Sequence, residues 1–152
     1  MIGRLLVGLG AAGLTVLLSA SSAAAAALEY NETTPKRESP TCQILVNAAA
    51  SAGVGCFQTY GDVFWVGDSI ADGRSVAVYW KLGDDSRRGL VRNKDGSAQV
   101  VLNGGWGYAN KNLPEGKRLG LRLGTCDAHG SVTCHEVDDY TWVSGWVWGS
   151  TG

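Results

Sequence analysis

From Val54 onward, apolar and polar side chains alternate with a period of two, and turn-forming residues cut the alternation every roughly 10–20 residues. Val76, Val78, Trp80 and Leu82 take one face of such a run while Ala77, Tyr79 and Lys81 take the other. Leu119, Leu121 and Leu123 alternate in the same way with Arg118, Gly120 and Arg122. Successive side chains of a strand point to opposite faces, so each run has one face to bury and one to leave in water. Further strands are expected over 63–66, 90–92, 98–102, 132–137 and 140–148. The separators Asp72-Gly73, Gly83-Asp84-Asp85, Lys94-Asp95-Gly96, Asn103-Gly104-Gly105, Pro114-Glu115-Gly116 and His129-Gly130 are turn sequences. Seven or eight short strands imply an all-β fold, an antiparallel β-sandwich or barrel. The alanines in 44–52 depart from the pattern and suit a short helix or turn.

The N-terminal 27 residues do not belong to this pattern. Arg4 precedes an apolar run over 5–18 and small residues over 19–27 with overlapping A-x-A options, the order of a secretory signal peptide. Gly8, Gly10 and Gly13 interrupt the run, which is shorter than the ~20 apolar residues of a membrane span. Cleavage within 23–27 is expected to release an extracellular chain with no later membrane span. Residues 28–41 hold two of the three prolines and are read as a flexible arm leading to a single β domain over 42–152. The 13 basic and 14 acidic residues give a net charge of −1, without the basic excess of a nucleic-acid-binding domain. A chain of 152 residues is also too short for a dinucleotide-binding fold or a βα barrel.

Cys42, Cys56, Cys126 and Cys134 form an even set, which in an exported chain predicts two disulfides. Three pairings are open, and proximity along the chain favours Cys42 with Cys56 and Cys126 with Cys134. A zinc site from Cys126, Cys134 and His135 is the alternative, although the spacing matches no common zinc pattern.

The densest motif lies over 55–80, GCFQTYGDVFWVGDSIADGRSVAVYW. With Cys56, Phe57, Tyr60, Gly61, Asp62, Phe64, Trp65, Val66, Asp68, Ala71, Asp72, Gly73, Ser75, Val78 and Trp80, it resembles small secreted actinobacterial (Streptomyces-like) proteins of unassigned function that carry a GDxFWVxDxxADGxS motif. Asn112, Leu113, Pro114, Glu115 and Gly116 resemble a second, weaker element, an N-[FL]-P-E-G turn. The resemblance spans about 56–122 and implies a secreted β-rich domain without implying a reaction. It also implies a further cysteine pair near Val91 and Ala109, and this sequence has neither cysteine.

Candidate sites follow from residue type. Asp62, Asp68 and Asp72 could supply oxygen ligands to Ca²⁺, the one candidate cofactor, but they lack EF-hand spacing and fit turn acceptors better. Tyr140, Trp142, Trp146 and Trp148 share parity in an extended strand and would form an aromatic platform if exposed, or core if buried. His135, near Glu136, Asp138 and Asp139, has no evident nucleophile beside it, and His129 sits in a turn. Arg87, Arg88, Arg92 and Lys94 interleave with Asp84, Asp85 and Asp95, which favours a solvated turn over an anion site. Together these point to a secreted, non-enzymatic domain that binds an extracellular protein or polysaccharide. The alternatives are a small extracellular hydrolase using these acids or His135, and a structural surface or envelope protein.

Overall fold

The computed structural model describes residues 25–48, 52–97, 106–128 and 132–152. The expected strand over 98–102, the expected turns at 103–105 and 129–130 with His129, and residues 1–24 of the expected signal peptide lie outside them. Two sheets pack face to face and two disulfides join Cys42 to Cys56 and Cys126 to Cys134, as chain proximity favours.

Sheet A contains β1 (Leu28–Glu32), β7 (Arg88–Asn93), β6 (Ser75–Leu82), β9 (Arg118–Cys126) and β10 (Thr141–Trp142) in that order, and β11 (Val147–Ser150) also pairs with β9. Sheet B runs β2 (Thr34–Lys36), β8 (Trp106–Asn110), β5 (Val63–Asp68), β4 (Gly53–Gln58) and β3 (Ile44–Asn47). Between them lie Val76, Val78, Trp80, Leu82, Leu119, Leu121 and Leu123 from sheet A, facing Val46, Phe57, Phe64 and Val66 from sheet B. The period-two runs on β6 and β9 therefore bury the face the alternation assigned to the core. Val91 and Ala109 also face this core, from opposite sheets.

Three expectations need correction. The segment 28–41 is not an arm over its first nine residues: β1 pairs with β7 and β2 with β8, so the chain crosses from one sheet edge to the other. The β1–β7 pair is parallel, whereas every other strand pair is antiparallel among the described residues. Pro35 is tolerated because β2 is an edge strand, where a missing N–H leaves no ladder bond unmade. Second, residues 44–47 are strand β3, with Ile44 and Val46 turned into the core, so burial outweighs the helix preference of the alanines that follow. Third, 132–137 carries no strand. It runs instead into a 3-10 turn at Val137–Asp139, where the Asp139 carboxylate accepts the backbone N–H of His135 (3.0 Å) and of Glu136 (3.2 Å).

That last segment gives the domain a second apolar layer. Ala77, Tyr79 and Leu90 on the outer face of sheet A are buried beneath the Cys126–Cys134 bridge, Val137 and Tyr140, with Leu28 and Tyr30 alongside. The Tyr140 hydroxyl donates to the Cys134 carbonyl at 2.8 Å, which ties the turn to the disulfide, and its burial pushes the phenol pKa up.

Candidate functional site

The outer face of β9 presents Arg118, Gly120, Arg122 and Gly124 at period two, and the C-terminal strands lay their tryptophans across it. Trp148 stands opposite Gly120 and Trp142 opposite Gly124. A Cβ at position 120 would come within 2.7 Å of Trp148 Cζ3, and one at 124 within 2.7 Å of Trp142 Cε3, so both indoles occupy the space of a missing side chain. The expected continuous strand over 140–148 is in fact two short ones. Between the pairs Trp142–Gly124 and Val147–Leu121, four residues oppose two. The excess is absorbed at Leu123, whose carbonyl accepts the N–H of Val143 (3.0 Å) and Ser144 (3.3 Å), while its own N–H donates to Ser144 Oγ (2.8 Å). An insertion of two preserves parity, and so Trp142 and Trp148 still share a face.

Guanidinium groups alternate with these rings. The Arg122 guanidinium carbon is 3.9 Å from the Trp142 ring centre and 5.2 Å from those of Trp146 and Tyr79; that of Arg118 is 4.3 Å from Trp148. Trp146 stacks on Trp148 with centres 5.6 Å apart and packs at a tilt on Tyr79 at 5.4 Å. Lys81 Nζ lies 5.5 Å from Trp146, but Asp85 neutralises it at 2.9 Å. Among the described residues neither Arg118 nor Arg122 has a carboxylate within 4 Å, and Arg122 Nε is buried without a hydrogen-bond partner. Desolvation holds the Arg122 pKa below its ordinary value. Trp142, Trp146 and Trp148 remain partly exposed, while Tyr140 is 6% exposed and belongs to the covered layer rather than the platform. Trp146 divides two open clefts of about 380 and 340 Å³, the first lined by Val46 and Val143, the second by Lys81 and Arg88.

The carboxylates do not gather. Asp62, just before β5, accepts the Leu113 N–H at 3.0 Å; Asp68, at the far end of β5, accepts that of Ile70 at 3.1 Å; Asp72 accepts that of Arg74 at 2.9 Å. A six-residue strand holds Asp62 and Asp68 about 20 Å apart, too far to share one Ca²⁺. Among the described residues no group of three or more His, Cys, Asp or Glu is placed to hold a metal ion. Cys126 and Cys134 are bonded to each other and leave no thiolate for zinc. Burial, with the Asp72 charge adding to it, pushes the Asp68 carboxyl up to about 6, and its Oδ2 has no partner. His135 is exposed against Tyr30, ring centres 4.3 Å apart, at a different part of the domain from Asp62. In the basic cluster, Arg87 meets Glu29 (2.8 Å) and Lys94 meets Glu32 (3.1 Å), so two of its charges are met by strand β1 rather than by the interleaved aspartates.

Sequence reasoning found the tryptophans and missed Arg118, Gly120, Arg122 and Gly124. The available signal was the R-x-G-x-R-x-G spacing on β9, which alternates cations with vacant positions across from a tryptophan-rich segment.

Fold and site thus define a disulfide-stapled two-sheet domain with an aromatic–cationic strip on one sheet. No family model matches the chain, nor does any curated protein or solved structure. Among the described residues no helix is long and apolar enough to cross a membrane.

Proposed function

We propose that this chain is a secreted, non-enzymatic β-sandwich domain that binds an extracellular protein or polysaccharide through the outer face of sheet A. The observation that carries this reading is the stacked pair Trp146–Trp148, partly exposed, with Trp148 lying over Gly120 and Trp146 packed on Tyr79. Aromatic rings fixed in place offer contact area at small entropic cost, and a contiguous exposed patch of them marks an interaction surface. The dispersal of Asp62, Asp68, Asp72 and His135 favours binding over the hydrolase reading, which needs those groups in one cleft. The signal-like N-terminus, the two disulfides and the resemblance to secreted actinobacterial proteins support export.

The test is retention of the mature domain on insoluble glycans and on extracellular-protein extracts, compared with Trp146→Ala and Trp148→Ala. Binding by the wild-type domain that falls in both folded variants is expected. Retention unchanged in both variants, or no retention of the wild type on any matrix, would remove the platform from consideration.

A further inference from the structure

Resting on that reading of sheet A, we propose that the ligand is a linear anionic polysaccharide, a polyuronate, held by Arg118 and Arg122. A neutral sugar binds an aromatic platform by laying its C–H face on a bare ring. Here the guanidinium carbons of Arg122 and Arg118 already lie 3.9 and 4.3 Å from the centres of the Trp142 and Trp148 rings. Stacking uses the flat face of a guanidinium, and with Arg122 Nε buried it is the terminal Nη1–Nη2 edge that is left to grip a carboxylate in a bidentate pair. Neither arginine has a carboxylate partner among the described residues, whereas Lys81 beside them is neutralised by Asp85 and Arg87 by Glu29. The strip therefore holds two fixed, uncompensated positive charges inside a chain whose net charge is −1.

The spacing suits a polymer. Arg118 and Arg122 lie four residues apart on one strand, about 13 Å, and both point outward. Trp146 and Trp148 lie alongside, so sugars between two engaged carboxylates would pass over the stacked indoles.

The experiment titrates the mature domain with polygalacturonate, with the same polymer fully methyl-esterified, with neutral dextran and with poly-glutamate. Saturable, salt-sensitive binding to polygalacturonate is expected, about tenfold or more tighter than to the ester. Arg118→Gln and Arg122→Gln should each lower that affinity about tenfold while keeping the wild-type melting temperature; Arg74→Gln, the same charge change in the exposed β5–β6 loop, should leave it unchanged. Arg122→Lys, which keeps the charge and loses the fork, should recover only part of it. Equal binding to the ester or to dextran overturns the anion assignment and leaves the aromatic platform standing. Poly-glutamate binding as tightly as polygalacturonate overturns the sugar assignment in favour of an acidic protein. No binding of any probe by the folded domain overturns this proposal alone if the platform still retains a partner in the test above, and both readings if it does not.

Discussion

Trp148 rests on Gly120, close enough that the smallest side chain at position 120 would press into the ring at 2.7 Å. The contact fixes the indole to the sheet backbone, and the platform depends on position 120 as much as on the tryptophan itself. Gly120→Ala is expected to lift the ring, cost about 1–3 kcal/mol and alter the near-UV circular dichroism of the tryptophans. Gly145→Ala, where an added Cβ meets nothing within 4 Å, should stay within about 0.5 kcal/mol of wild type.

The two disulfides should be separable by what they hold. Replacing Cys126 and Cys134 by serine opens a loop of sequence separation 8 and is expected to cost about 2–3 kcal/mol in denaturant unfolding. It should also free the Tyr140 anchor and loosen the covered layer above Tyr79. Replacing Cys42 and Cys56, separation 14, should cost about 3 kcal/mol and leave the near-UV spectrum of the C-terminal tryptophans in place. Equal spectral change in both variants would contradict this division.

Asp68 and Glu29 give the domain opposite pH responses. Burial raises the Asp68 carboxyl from 3.8 to about 6, so between those values the folded chain holds a proton that the unfolded chain has released. Its contribution therefore favours the fold below about pH 4 and is lost as pH rises through about 6. Asp68→Asn is expected to raise stability at pH 7 by on the order of 1–2 kcal/mol and to flatten this part of the profile. A lower melting temperature for the variant at pH 7 would refute the assignment.

Glu29 works in the other direction. Its carboxylate accepts Arg87 Nε at 2.8 Å and both Arg87 Nη2 and Lys111 Nζ at 3.0 Å, and these partners hold its pKa below 4.5. The stabilisation is complete above 4.5 and disappears as pH falls through the lowered folded value. Glu29→Gln should cost about 1 kcal/mol at pH 7, discounted for partial exposure, and progressively less in acid, as read from denaturant midpoints across pH.

The two sheets were legible where one face of a strand meets only apolar neighbours. Val76 to Leu82 and Leu119 to Leu123 carry that signature because the core beneath them is uniform. Strand β1 escaped because its inward residue Glu29 is polar and has Arg87 and Lys111 to receive it, so the alternation of Leu28 and Tyr30 reads as too short to count. The Trp142–Trp148 parity survived a wrong premise, since two extra residues at the bend restore the phase that a single one would have inverted. Asp62, Asp68 and Asp72 look clustered in sequence because a strand of six residues hides how far apart its ends are.

Strand β1 also sets the order in which the domain can be completed. Glu29 meets Arg87 across 58 residues and Lys111 across 82, so its pairing has to wait for β7 and the end of β8 to exist. Closing such long loops gains nothing until the surfaces they join are built. A chain emerging N-terminus first leaves β1 without its strand partner until β7 is made and Glu29 without its second cation until Lys111 follows, so one edge of each sheet is formed by the segment that leads the fold.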